Sequence, residues 1–211
     1  MLVADSVTAG YRAGAVIREV DLQVAPGEIV GITGDSGSGK TTLARTMAGL
    51  VAPSGGTVTV DGRSPRRARG TIAMVFQSPR AATNPHFTIA RIITEPTTIS
   101  RTPPPDLTEL AATVGLTPDL LTRRPHALSD GQLQRACLAR ALAQSPRYLI
   151  LDEPTAMLDA ATTATIIRLV MHRTDLGTLL ISHDQPLLTA ACTRILTMHE
   201  GTLKTHPESP H

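Results

Sequence analysis

Apolar residues along this chain fall into a repeating alternation. Short β-branched runs at Ile29–Thr33, Thr71–Phe76, Tyr148–Leu151 and Thr178–Ser182 are each followed by helical spacing: Thr41–Leu50, a stretch after Phe76, Ala160–His172 and Gln185–Ala191. A strand that is apolar at nearly every position must be covered on both faces, and strands separated by helices are joined by crossovers. The pattern therefore predicts an α/β fold with a mostly parallel sheet between layers of helices. Val3–Val7, Val20–Val24 and Thr57–Val60 stand outside that rhythm; with turns at Pro26-Gly27 and Pro53-Ser54-Gly55-Gly56 they predict an antiparallel β flank. Between Phe76 and Leu128 the strand pattern stops, and Pro-rich connections surround short helices such as Leu107–Val114. The expectation is one domain over residues 1–204 with a small helical subdomain inserted at about 80–144, and a flexible tail at 205–211. Pro103-Pro104-Pro105 reads as a stiff, extended surface connector.

Composition narrows the classes. With 211 residues, 41% hydrophobic and 18% charged, the chain has the make-up of a globular domain with one core. No run approaches the roughly 20 apolar residues that cross a bilayer, and Met1–Asp5 lacks the basic start of a signal peptide, so the protein is expected to stay in the cytoplasm. Cys137 and Cys192 have no metal-ligand spacing and read as packing residues. A net charge of +2 and 2% aromatics argue against nucleic acid as a partner. The arginines at 63, 66, 67 and 69 have no interleaved stacking platforms and read as a solvated loop.

Two motifs carry chemistry. Gly34-Asp35-Ser36-Gly37-Ser38-Gly39-Lys40-Thr41 fits G-x-x-x-x-G-K-[ST] and lies between an apolar strand and a helix. Glycines let successive N–H groups point at phosphates, and the positive end of the helix favours the anion. Lys40 is then expected to reach the β- and γ-phosphates and the Thr41 hydroxyl to ligate Mg2+; the plain alternative is a flexible Gly/Ser loop. The second motif is Asp152-Glu153 at the end of Tyr148–Leu151. Acids at the end of a buried strand need partners, and neighbours in a strand face opposite sides, so the two should have different jobs. Asp152 is expected to hold Mg2+ and Glu153 to polarise an attacking water; alternatively, both merely open a turn with Pro154-Thr155.

Leu128-Ser129-Asp130-Gly131-Gln132 resembles the signature of the ATP-binding-cassette (ABC) transporter ATPases, usually Leu-Ser-Gly-Gly-Gln. Gln77 resembles the family's Q-loop, Leu158-Asp159 its D-loop, His183 its switch histidine and Tyr11 the aromatic that stacks on adenine. Alone, each has a blander reading: Gln77 a polar strand end, His183 a surface or capping histidine, Tyr11 a core residue, Asp159 a helix cap. Their order and spacing match the family from Tyr11 to about Gly201.

The resemblance implies a P-loop ABC ATPase that binds ATP and Mg2+. Residues 34–41 and Thr42 would take the phosphates, and Thr41, Gln77 and Asp152 the metal. Glu153, His183 and Gln77 would be catalytic. It also implies head-to-tail pairing with a second ATPase subunit, in which Ser129, Asp130, Gly131 and Gln132 close over the partner's ATP. A heterodimer is favoured over a homodimer. Transmembrane permease subunits and an extracytoplasmic substrate-binding protein would complete the system, placing the chain peripherally on the cytoplasmic face of the membrane.

Asp130 stands where the family has glycine and brings a carboxylate toward a triphosphate; like charges about 5 Å apart repel by roughly 3 kcal/mol at an effective dielectric near 20. Met157 replaces a usually small residue, with less consequence.

Phe76-Gln77-Ser78-Pro79, Asn84-Pro85, Thr88-Ile89, Glu95-Pro96 and Arg124-Pro125-His126-Ala127 resemble the dipeptide, oligopeptide, nickel and metal-opine importer branch, whose peptide-importing members usually carry a longer C-terminal extension. Import of small peptides, nickel or metal chelates is the leading expectation. The rivals are a soluble ABC ATPase of DNA repair or translation, and an inactive cassette that binds ATP without turnover.

Overall fold

The computed structural model describes residues 1–68, 70–156 and 158–205; Arg69, Met157 and 206–211, which hold part of the basic cluster, one signature-set departure and most of the expected tail, lie outside the described residues. The chain runs β1 (Leu2–Tyr11), β2 (Gly14–Val24), β3 (Ile29–Thr33), α1 (Lys40–Met47), β4 (Gly55–Val60), β5 (Ile72–Val75), α2 (Ile89–Ser100), α3 (Leu107–Thr113) and α4 (Asp130–Leu142). It continues through β6 (Tyr148–Asp152), α5 (Ala160–Met171), β7 (Gly177–Ile181), α6 (Gln185–Ala191), β8 (Arg194–His199) and β9 (Thr202–Thr205).

Six strands form one sheet in the order β5-β6-β7-β3-β8-β9, and β2-β1-β4 form a smaller antiparallel sheet. All pairings in the large sheet are parallel except β8 with β9. β3, β6 and β7 are buried at every residue, as their unbroken apolar runs require. Strand alternation divides their side chains between two cores. Leu149, Leu151, Leu180 and Ile195 pack with α2 to α6, whereas Tyr148, Ile150, Val30, Ile32 and Ile181 pack with α1 and the small sheet. In β2 the pattern is the half-buried kind: Ile17, Val20, Leu22 and Val24 face inward while Arg18, Asp21 and Gln23 stay exposed.

Three sequence expectations need correction, and two strands, β8 and β9, were not foreseen. Gly55 and Gly56 belong to β4, not to the preceding turn: Gly55 pairs across to Thr8 of β1, and Gly56 lies at the register shift beside it. Thr205 pairs with Leu196 as the last residue of β9, so it is not part of a loose tail. β8 and β9 escape hydrophobic patterning because Arg194, Thr197, His199 and Lys204 interrupt them; Arg194 is held by Glu28 at 2.7 Å. Pro96 lies inside α2, a helix capped by Thr88 and closed by Arg101 at φ 56°, whereas the sequence suggests only short helices there. Between β5 and β6 the described residues contain helices and short 3-10 turns but no strand.

Candidate nucleotide site

The sheet register gathers the predicted residues. Ile181 of β7 pairs with Ile32 of β3 on one side and Asp152 of β6 on the other, so three strands end level at one edge. Their continuations, Gly34–Lys40, Glu153 and Ser182-His183, meet there, and β5 delivers Gln77 beside β6. The edge beyond the carboxyl ends of parallel strands is where α/β sheets hold ligands. A cavity of about 510 Å3 opens at this edge, lined by the loop glycines, Lys40, Thr41 and Thr42, by Gln77, Asp152, Glu153 and His183, and by Tyr11.

Backbone shape makes the loop. Gly34 has φ 137° and a Cβ there would lie 2.1 Å from the Met198 carbonyl oxygen; Gly39 has φ 112° and its Cβ would press on Ile17 at 2.9 Å. The Lys40 ammonium crosses the loop and donates to the Gly34 and Asp35 carbonyls, both at 2.7 Å. α1 begins on Gly39 with no side-chain cap and no acid in its first turn. Each other α-helix carries a capping side chain: Thr88, Asp106, Ser129, Asp159 and Asp184. The buried Ser38 hydroxyl also has no hydrogen-bond partner among the described residues. Free N–H groups at a helix start, a lysine and an unsatisfied hydroxyl form a cradle that suits phosphate oxygens. Asp35 and Ser38 contribute main chain to this loop, while Ser36 and Thr42 line the cavity directly.

Beside the cradle, Thr41 Oγ1 donates to Asp152 Oδ1 at 3.3 Å. Burial holds the Asp152 carboxyl above the usual carboxylate range, reinforced by the Glu153 charge and opposed by the Thr41 bond, Arg45 and Lys40. A desolvated carboxylate next to a hydroxyl is a hard-oxygen pair of the kind Mg2+ accepts. The strand alternation used to separate the two acids stops at Asp152. Glu153 leaves β6 with φ 50°, and its turn aims the carboxylate at His183 Nδ1, 2.9 Å away. Glu153 keeps 12% of its side chain exposed and His183 77%, so the pair spans from the buried edge to open solvent.

Ser129, Asp130, Gly131 and Asp159 lie apart from this cavity, around a second recess of about 280 Å3. Ser129 caps α4 by accepting from the Gln132 N–H at 3.1 Å, and the Gln132 side chain accepts from the Ser129 N–H at 3.0 Å. Asp159 caps α5 through the Thr162 N–H at 2.9 Å, a bond that holds its carboxyl below the usual range. The Asp130 carboxylate is not loose at the helix start: Arg80 Nε donates to it at 2.6 Å.

The family model described as ABC transporter matches residues 17–156. This chain belongs to the ABC transporter family. The probable D,D-dipeptide transport ATP-binding protein DdpF of Escherichia coli K12 is 38% identical, over 89% of this chain and 62% of that protein, so the chain spans less than two thirds of that relative's length. The nickel import ATP-binding protein NikE of Rhodospirillum rubrum is 36% identical over 96% of this chain and 82% of its own. NikE of E. coli K12 is 40% identical over 92% and 78%. Among solved structures, the dimeric ATP-binding cassette MJ0796 superposes with a TM-score of 0.87 at 25% identity, covering 97% of this chain and 98% of that one. The same cassette in a post-hydrolysis state bound to ADP and Pi gives 0.85 at 25% identity, with the same coverage. The α/β cassette fold expected from the sequence is thus the fold observed.

Sequence reasoning missed several residues that position this cassette's parts. Arg45 of α1 donates to the Tyr11 hydroxyl at 3.3 Å, so the exposed ring at the end of β1 is tied to the cradle helix. Gln134 of α4 is buried and donates to the Phe76 carbonyl at 3.3 Å, and Arg140 donates to the Ala82 carbonyl at 2.6 Å. The segment holding Gln77 is therefore clamped at both ends by α4. Their sequence signal was no more than a glutamine and a basic residue at helical spacing, which many solvent-facing helices share.

Proposed function

We propose that this chain is the ATP-binding and ATP-hydrolysing subunit of a membrane transporter that imports small peptides, nickel or metal chelates. One observation carries the reading: a glycine loop and an uncapped helix start face Thr41-Asp152 and Glu153-His183 across a single cavity. The dipeptide and nickel import names of the relatives support the choice of cargo.

In this mechanism ATP lies with its phosphates on residues 34–41 and Thr42 and its adenine against Tyr11. Lys40 exchanges its loop carbonyls for β- and γ-phosphate oxygens. Thr41, Asp152 and Gln77 would hold Mg2+, which supplies charge neutralisation on the phosphate oxygens when bound. Glu153 orients a water in line with the γ-phosphorus and draws off its proton as the new P–O bond forms and the bond to the bridging oxygen of ADP breaks. His183 fixes the Glu153 carboxylate through its 2.9 Å contact and faces the γ-phosphate from the solvent side.

A second cassette pairs head to tail, bringing its own serine-capped helix start over this nucleotide while Ser129, Asp130, Gly131 and Gln132 cover its partner's, with Asp159 between the two sites. The importer branch favours a heterodimer. Closure passes through a helical subdomain at about 80–144 to permease subunits fed by an extracytoplasmic binding protein, with the chain peripheral at the cytoplasmic face. Among the described residues, no helix is long and apolar enough to cross a membrane.

Purified protein should hydrolyse Mg-ATP. Glu153→Gln should lower turnover by about 10²-fold or more while retaining ATP and accumulating as a dimer on size exclusion. ATP retention without wild-type turnover would instead identify an inactive cassette, and failure to retain Mg-ATP would remove the reading altogether.

A further inference from the structure

Arg80 lies three residues beyond Gln77, and its guanidinium meets the start of α4 with three nitrogens. Nε donates to Asp130 Oδ1 at 2.6 Å, one terminal nitrogen to the Pro125 carbonyl at 3.3 Å and the other to the Leu128 carbonyl at 3.2 Å. The planar fork thus fixes at once the turn that leads into Ser129 and the carboxylate that follows it, a geometry a lysine cannot reproduce.

Stability alone does not account for this arrangement. Arg80 and Asp130 keep 49% and 47% of their side chains exposed, and an ion pair so well hydrated contributes little to folding. Ser129 and Gln132 already cap the helix start through their reciprocal bonds without Arg80. What Asp130 does bring is a negative charge on the face that, in the functional reading above, covers a partner's γ-phosphate; once water is excluded there, that charge is no longer screened.

We propose that Arg80 is a positioning residue for the nucleotide bound across the dimer. It cancels the Asp130 charge, so that the Ser129–Gln132 turn meets a triphosphate as a neutral surface, and it holds the carboxylate back toward the Gln77 segment. The proposal rests on the head-to-tail reading of this turn. It also explains how an aspartate is accommodated at a position where family members usually carry glycine.

The test is a double-mutant cycle in the full chain, reading kcat and KM for Mg-ATP in wild type, Arg80→Met, Asp130→Asn and the double variant. Arg80→Met should raise KM on the order of fivefold with little change in kcat, more at low salt, because it leaves Asp130 uncompensated. In the Asp130→Asn background, which has no charge to cancel, the same substitution should raise KM by less than about twofold. Arg80→Lys, which keeps the charge without the fork, should fall between. Melting curves identify any variant that fails to fold; if the methionine does, Arg80→Gln takes its place in the cycle. An equal rise in both backgrounds would make Arg80 a strut for the Pro125 and Leu128 carbonyls only and would overturn the proposal, as would no rise in either. Turnover in the wild type with an additive cycle removes this inference alone, whereas no wild-type turnover removes the functional reading and this with it.

Discussion

Helix α1 starts at Gly39, which offers nothing to its free N–H groups, whereas α4 starts at Ser129, whose hydroxyl and Gln132 partner satisfy each other's main chain. Around α1 lie Lys40, an orphaned Ser38 hydroxyl and a buried Asp152 held above its ordinary range. Around α4 the charge is paired, Asp130 with Arg80. One helix start has no capping side chain and keeps its bonding capacity in reserve for a ligand; the other carries a reciprocal side-chain cap before anything binds. The difference teaches that a glycine-started helix and a serine-capped one divide a site's labour. An uncapped start grips an anion, and a capped one presents a preformed face to it.

The comparison breaks most sharply at Gly34. Gly34→Ala places a Cβ 2.1 Å from the Met198 carbonyl oxygen at φ 137°, and should cost about 3 kcal/mol or more in a denaturant titration together with all measurable ATP binding. An alanine that matched the wild type in both would show that the loop does not need its present shape.

At the other helix, Ser129 separates capping from nucleotide contact. Ser129→Ala should lose about 1 kcal/mol of stability, a shift of roughly 2–4 °C in the melting midpoint for a domain of this size. Ser129→Asp caps as well as serine and should stay within about 0.5 kcal/mol of the wild type, yet lower Mg-ATP turnover about tenfold or more by adding a charge to the same face. Equal turnover in the wild type and the aspartate variant would take this helix start out of the reaction.

The smallest effect is expected at Asp152, measured in chelator without nucleotide. Its folded carboxyl titrates above its unfolded value because of burial, so the folded state binds the proton more tightly. The resulting penalty is absent below the unfolded range, grows as pH rises and is complete above the folded one. Asp152→Asn should therefore raise the melting midpoint at neutral pH, and the gain should vanish as the pH falls into the carboxylate range. A gain independent of pH would assign the effect to packing instead.

Much of the site was legible because its signals are local. The residues from Gly34 to Thr41 announce a turn and a helix start through glycine placement and strand context, and Leu128–Gln132 stands out as a contiguous likeness to a family signature. Asp152 was readable as the polar end of a buried run. Glu153 was only half readable: its chemistry was visible, but its left-handed backbone, which turns it toward His183, was not. Arg80, Gln134 and Arg140 stayed hidden because each acts on a residue about fifty or more positions away, and nothing in their own neighbourhood distinguishes them from solvent-facing charge or amide.

By itself the sequence determined which apolar runs become the central strands, where the glycine loop precedes a helix, and which residue types could handle phosphate, because backbone preferences and side-chain periodicity act over a few residues. Tertiary structure alone decided that β3, β6 and β7 end level, that Asp130 is neutralised, and that the cradle and the signature turn occupy separate recesses of one chain. Those outcomes depend on strand order and register, which follow from how two cores share the faces of one sheet and are not encoded in any single segment.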